Sequence, residues 1–280
     1  MPNIKFGPAG LGGVHDAISN MEEYSKKDLQ ACEIAFTYGV YIKNKKDAEE
    51  IRKKAKELGI SLSIHAPYWI NLNSVEKEKI EKSKERILNC LEVGTWLGAK
   101  TVVFHPGYYS IKGTKVPFIK PSFNLGVKPD GKLEAYEKIK NEILELQKIR
   151  DEKNYTPELA PETTGKINVF GSIEEIAQLV RDTKCSFCVD FAHILAREKD
   201  YSFEKVFSSF KSSKKWHVHF SGIEYGEKGE KNHKETSEDE WEKLLNSLPK
   251  DKEITIINEA PDSVKDSLNG LKIYRRQKIS

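Results

Sequence analysis

Six short apolar runs in this chain each stop on a residue able to bind a metal ion. They read Ser61-Leu-Ser-Ile-His65-Ala-Pro, Thr101-Val-Val-Phe-His105-Pro-Gly, Leu159-Ala-Pro-Glu162-Thr-Thr, Cys188-Val-Asp190-Phe-Ala-His193, His217-Val-His219-Phe-Ser-Gly and Thr255-Ile-Ile-Asn-Glu259-Ala-Pro. A strand that ends on His, Asp or Glu wastes that residue unless something sits at the strand end. Six such ends at roughly regular intervals point to one shared site. A barrel of parallel strands brings all its strand C-termini to one face, where active sites of that architecture lie.

The segments between these runs have a helical period. Residues 45–59 place Ala48, Ile51, Ala55 and Leu58 on one stripe and close on a glycine suited to a helix C-terminus. Ile80, Ile87, Leu91 and Leu97 mark a second helix that stops near Gly98, and Ile139, Ile143, Leu146 and Ile149 a third over 134–152. Ser172-Ile-Glu-Glu opens a fourth as a capping box. Strands are expected near residues 4–6, 32–36, 61–65, 101–105, 158–162, 186–190, 216–220 and 254–259. Strand–helix alternation repeated about eight times predicts an α/β fold, a (β/α)8 TIM barrel, with residues 1–280 as a single domain. Residues 107–131, rich in Gly, Pro, Lys and aromatics, have no clear period. They follow a strand-end His and are expected to form a long loop over the active face.

Composition narrows the functional classes only slightly. A net charge of +3 in 280 residues neither requires nor excludes a nucleic-acid partner, because a local basic face can bind phosphates. No apolar run approaches the roughly 20 residues needed to cross a bilayer, and the N-terminus lacks a signal-peptide core. The expectation is a cytoplasmic, monomeric protein with no membrane partner. The four cysteines include one Cys185-Ser-Phe-Cys188 pair with no second pair or nearby His, and read as buried core residues.

The strand-end residues carry the chemistry. His and carboxylate in mixture suit zinc, and also manganese or iron. His65 and His105 end neighbouring strands and can reach one ion. Glu162 ends the next strand and can bridge two ions with its two oxygens. Asp190, His219 and Glu259 can complete a second position. Burying Glu162, Asp190 and Glu259 together is costly unless cations neutralise them, and no Arg or Lys sits in the same motifs. If the chain turns into a loop at Phe191, Asp190 and His193 need not share an ion. His217 points to the same side as His219 but lies deeper. His15 is expected on the surface. His233 falls in a charged stretch read as a loop, placed on the active face by the strand before it. Two or three ions suit attack on a phosphodiester, whereas one ion suits isomerisation of a sugar.

The motifs His65-Ala-Pro-Tyr-Trp-Ile-Asn-Leu, His105-Pro-Gly, Glu162-Thr-Thr-Gly, Asp190-Phe-Ala-His193, His219-Phe-Ser-Gly and Asn258-Glu259-Ala-Pro resemble, in order and spacing, those of the endonuclease IV family. That family belongs to the xylose-isomerase-like barrels. The resemblance implies a three-zinc enzyme that cleaves double-stranded DNA 5′ to abasic sites, leaving a 3′-hydroxyl and a 5′-deoxyribose phosphate. It implies that His65, His105 and Glu162 hold one zinc. Glu162, Asp190, His219 and Glu259 would hold a second, and His193 a third with ligands from the stretch after His219. Glu162, shared by the first two, is the expected catalytic residue. Tyr68 and Trp69 fall where the family inserts side chains at the lesion; a flat group can fill the gap left in the stack. Asn71 is expected to order that loop beside the substrate.

Three features depart from the family. The first strand carries Lys5-Phe-Gly-Pro-Ala-Gly where a His is usual. Phe36-Thr-Tyr-Gly-Val-Tyr lacks the expected basic residue, leaving Tyr38 or Tyr41 in its place. The Asp-x-His pair of the third zinc is not reproduced, since Lys231 precedes His233 by two and Glu230 stands one further back. Glu230 with His233 is the remaining donor set there. The other readings are a metal-dependent sugar isomerase or epimerase, for which Glu162, Asp190, His219 and Glu259 suffice, and a catalytically silent DNA-binding protein.

Overall fold

The computed structural model describes residues 3–109 and 129–279. Eight parallel strands form the barrel wall: β1 (Asn3–Pro8), β2 (Ala31–Ala35), β3 (Ser61–His65), β4 (Thr101–Phe104), β5 (Glu158–Pro161), β6 (Cys188–Asp190), β7 (Lys215–Phe220) and β8 (Glu253–Asn258). They pair as two four-stranded arcs, β2-β3-β4-β5 and β1-β8-β7-β6. Single parallel bridges close the two seams, Ala9 with Glu33 and Glu162 with Cys188. Both seams therefore meet at a buried glutamate.

Side chains alternate across each strand, so every second residue faces the barrel interior. The outward set packs against the helices in the main core. The inward set includes Val103, Ala160 and Cys188, which form their own small buried cluster. Gly7 lets the first seam close, because a Cβ there would lie 1.8 Å from the Ala31 carbonyl oxygen. Under β8, Trp241 is fully buried against Phe6 and Phe220, at 6.1 and 4.9 Å between ring centroids. Each such phenylalanine contributes roughly 2–3 kcal/mol of apolar transfer.

The helical readings hold, with shifted ends. The 45–59 stripe is a helix over Lys45–Glu57, with Gly59 at φ +69° beyond it. Ser172 forms its capping box with Glu175. The 134–152 helix begins earlier, at Pro129. Two features go beyond the sequence reading. The condition of a loop at Phe191 is not met: a helix over Phe191–Glu198 starts directly on β6, with Asp190 as its N-cap. The charged stretch after β7 is an antiparallel ribbon, Gly222–Gly226 paired with Gly229–Lys234, with a register shift at Glu224/Tyr225. The loop expected over 107–131 falls largely on residues 110–128, outside the described residues. Its first residues, Gly107–Tyr108, pair with Val169–Phe170. No helix among the described residues is long and apolar enough to cross a membrane.

Candidate metal centre

The C-terminal ends of β3 to β8 deliver their polar residues to one place. Glu162 sits at its centre with no exposed surface. Its two oxygens face different partners. Oε2 lies 2.9 Å from His105 Nε2 and 3.2 Å from His65 Nε2. Oε1 lies 2.9 Å from His219 Nδ1 and 3.7 Å from His193 Nδ1. His219 Nδ1 also stands 3.5 Å from Glu259 Oε1. Asp190 completes the group from β6. Its Oδ1 accepts the His193 backbone N–H at 2.7 Å, while Oδ2 is buried with no hydrogen-bond partner among the described residues.

Among the described residues, two groups reproduce the sets expected from sequence. His65, His105 and Glu162 converge with all ligand atoms within 4.8 Å of one another, and so do Glu162, Asp190, His219 and Glu259. His65, His219 and Glu259 form an overlapping group, and Cys188, His217 and His219 another beneath it. These donors fit divalent cations on two counts. Asp190 Oδ2 has no hydrogen-bond partner of its own, and three carboxylates are gathered where the bases facing them are imidazoles.

The titration of the groups tells the same story. Burial would raise the Glu162 carboxyl, but the His219 and His105 imidazoles outweigh it and hold it well below the usual carboxylate range. Burial would lower His65, yet the Glu162 carboxylate lifts it to about 9. His193 reaches about 10, its burial overcome by Asp190 and Glu230. Asp190 is raised, mainly by burial. Without cations, the excess negative charge of the cluster is answered by protons on its histidines; divalent ions would answer it instead.

The residues expected at a third position are near one another but less closely gathered. His193 Nδ1 faces the Thr163 carbonyl oxygen at 2.9 Å, and Nε2 lies 3.1 Å from Glu230 Oε2. The other Glu230 oxygen is 3.4 Å from Lys166 Nζ. His233 Nδ1 pairs with Ser221 Oγ at 2.6 Å, and Nε2 is 3.9 Å from Glu259 Oε2. Two glycines let the ribbon reach the site. A Cβ on Gly165 would meet Glu230 Oε2 at 2.2 Å, and one on Gly229, at φ +100°, would meet the Gly165 carbonyl oxygen at 2.0 Å.

Tyr68 and Trp69 follow His65 on the active face and are 58% and 62% exposed, so neither is packed into the rim. The Tyr68 ring lies 6.2 Å from that of His65. Asn71 Oδ1 accepts the Asn73 and Tyr108 backbone N–H groups, which orders the loop after β3 against the loop after β4. Tyr38, which stands near the missing basic residue, is 87% exposed. His15 is exposed, and all four cysteines are buried and free.

One residue was missed by sequence reasoning. Glu33 lies mid-strand in β2, fully buried. It meets Ser63 Oγ at 2.8 Å, His217 Nε2 at 2.9 Å and His219 Nε2 at 2.9 Å. Its signal was present: a carboxylate inside Ala31-Cys-Glu-Ile-Ala35, a run otherwise free of charge.

Comparison with known proteins agrees with this architecture. Residues 23–277 match the model of the xylose isomerase-like TIM barrel family. An uncharacterized protein of Methanocaldococcus jannaschii is 35% identical over 286 residues, covering 96% of this chain and 96% of that protein. A probable endonuclease 4 of Aquifex aeolicus is 26% identical over 60% of this chain and 54% of its own length, so the match spans about half of that relative. Among solved structures, SacUVDE superposes with a TM-score of 0.74 at 14% identity, covering 99% of each chain. Endonuclease IV from Thermus thermophilus gives 0.67 at 20% identity, covering 100% of each. D-psicose 3-epimerase from Clostridium cellulolyticum gives 0.67 at 14%, covering 97% of this chain and 98% of that one. At such identities the solved structures establish the fold and leave the reaction open. With the family model matched over most of its length, the chain belongs to the xylose isomerase-like TIM barrel family.

Proposed function

We propose that the protein is a metal-dependent phosphodiesterase that cuts double-stranded DNA on the 5′ side of abasic sites. The observation that carries this reading is the division of Glu162. One carboxylate oxygen faces His65 and His105, and the other faces His219, so one residue joins two donor sets. Sugar isomerisation at a single ion leaves His65 and His105 without a task. The relatives whose names include endonuclease 4 support the same choice.

In this reading His65, His105 and Glu162 would hold one zinc, and Glu162, Asp190, His219 and Glu259 would hold another. His193, Glu230 and His233 are the donors for a third. The chemistry such ions would supply is a lowered pKa of water and an offset of charge on the attacking and leaving oxygens of a phosphodiester. Glu162 sets the spacing between the two positions. Asp190 stays oriented because its Oδ1 is committed to the helix that begins at Phe191. Tyr68 and Trp69, exposed beside His65, fill the gap left when the abasic nucleotide is displaced from the stack. Asn71 keeps that loop in place. Water adds to phosphorus and the bond from phosphorus to the 3′ oxygen breaks; that oxygen takes a proton, and the phosphate remains on the abasic sugar.

The test is incision of a duplex carrying a tetrahydrofuran abasic analogue by the purified, zinc-loaded protein. A single nick 5′ to the analogue supports the reading. No nick, together with turnover of a ketose, would favour the epimerase reading, for which the group of Glu162, Asp190, His219 and Glu259 is sufficient by itself.

A further inference from the structure

Glu33 takes no part in the donor sets above, yet it touches the centre from below. It projects into the barrel from the middle of β2 and has no exposed surface. A carboxylate so placed is costly unless its oxygens are met. Ser63 Oγ donates to Oε2 at 2.8 Å, and His217 Nε2 lies 2.9 Å from the same oxygen. Oε1 is 2.9 Å from His219 Nε2. Among the described residues, neither Oε1 nor His219 Nε2 makes a well-aligned hydrogen bond, to each other or to any other group, so the two buried atoms meet as a close charge contact.

His219 is thus held between two carboxylates. Nε2 faces Glu33, and Nδ1 faces Glu162 Oε1 at 2.9 Å. A neutral imidazole carries one proton, and an ionised carboxylate only accepts. A cation held by Glu162, Asp190 and Glu259 would take the place of a proton on Nδ1, and Glu33 would then keep the one remaining proton on Nε2. That arrangement leaves the Nδ1 lone pair directed at the donor set of Glu162, Asp190 and Glu259. Metal-binding histidines are commonly oriented in this way by an acceptor on the far nitrogen. Ser63 and His217 in turn fix the carboxylate, and the Ala9–Glu33 bridge fixes its backbone at the barrel seam.

We infer that Glu33 is a positioning residue for the second metal position, setting the tautomer and ring orientation of His219 through Nε2. The inference rests on reading the cluster as a metal centre. It assigns Glu33 no contact with substrate or metal.

The test measures zinc affinity of the full-length protein by chelator competition, for wild type, Glu33→Gln and Ser63→Ala. Glu33→Gln preserves shape but removes the charge that demands a donor. It is expected to weaken one of the tightly held ions about 10- to 100-fold and spare the other. Ser63→Ala, which perturbs the fold less, is expected to weaken the same ion by a smaller factor. In the zinc-loaded wild type, nitrogen-15 spectra are expected to show His219 protonated at Nε2. Equal affinity for both ions in wild type and Glu33→Gln overturns this inference alone. So does equal loss of both ions, which marks a merely structural role. A wild type that binds no divalent ion overturns the metal-centre reading and this inference with it.

Discussion

His219 and His233 are both histidines on β7 and its continuation, and both approach Glu259, but the molecule holds them differently. His219 ends a strand with hydrogen-bonded neighbours on both sides, β6 and β8. It has no exposed surface, and carboxylates engage both of its nitrogens. His233 lies on a two-stranded ribbon with one pairing partner and a register shift. It is 29% exposed on its side chain and stands 3.9 Å from the nearest Glu259 oxygen. Parallel strands in a closed barrel fix their ends to within a hydrogen-bond length. A ribbon outside the wall depends on its turn and on local contacts such as Glu230 packing over Gly165. The donors that match the resemblance residue by residue are those at strand ends. The departure, Glu230 in place of the expected Asp-x-His pair, falls on the ribbon.

The sharpest way to break this contrast is at Glu162. Glu162→Gln removes charge from both strand-end positions at once, and incision is expected to fall by roughly 10³-fold, the scale of losing one preorganised electrostatic group. A loss below about 10-fold, measured as kcat/KM on the abasic duplex, would mean that the strand-end cluster is not the reacting centre. A smaller effect is expected from the exposed aromatics. Tyr68→Ala with Trp69→Ala should weaken binding to lesion DNA ~30-fold, the scale of base–aromatic stacking, with metal content unchanged. Equal binding in a gel-shift assay would refute the insertion role.

The smallest effect concerns the rigidity of the wall itself. Cys185 and Cys188 flank the start of β6, and both thiols are pushed up by burial, Cys185 to about 11. Burial likewise raises Cys90 to about 12. Each folded value lies above the ordinary thiol pKa, so the reactive thiolate gains population only as pH rises toward the shifted value. At pH 8 the thiolate of Cys185 is about 0.1% populated. Native protein should therefore resist a thiol reagent at that pH, and all four cysteines should react once it is unfolded. Rapid labelling of Cys188 in the native state would show that the wall opens beneath the site.

Much of this was legible in the sequence because a barrel turns strand ends into neighbours. His65, His105, Glu162, Asp190, His219 and Glu259 each close an apolar run, and one topological expectation brings them together. Glu33 was not legible by that route, since it sits mid-strand and becomes part of the site only through alternation and the closure of a seam. His217 was placed correctly below His219, but its partner on β2 could not be seen from β7. The ribbon was read as a loop because Glu230, Lys231, Asn232 and Lys234 carry no apolar alternation; backbone pairing holds it together. The helix after Asp190 was missed because no linker separates it from β6.

The contrast between strand ends and ribbon is tested by a metal count on the full-length protein after mild chelation, for wild type and for Glu230→Gln combined with His233→Ala. Both proteins should retain about two ions per chain, as two-metal phosphodiesterase sites do. Any further ion should leave the wild type readily and be missing from the variant. Retention of a single ion by the wild type, or loss of the tightly held pair on altering the ribbon, would contradict that contrast.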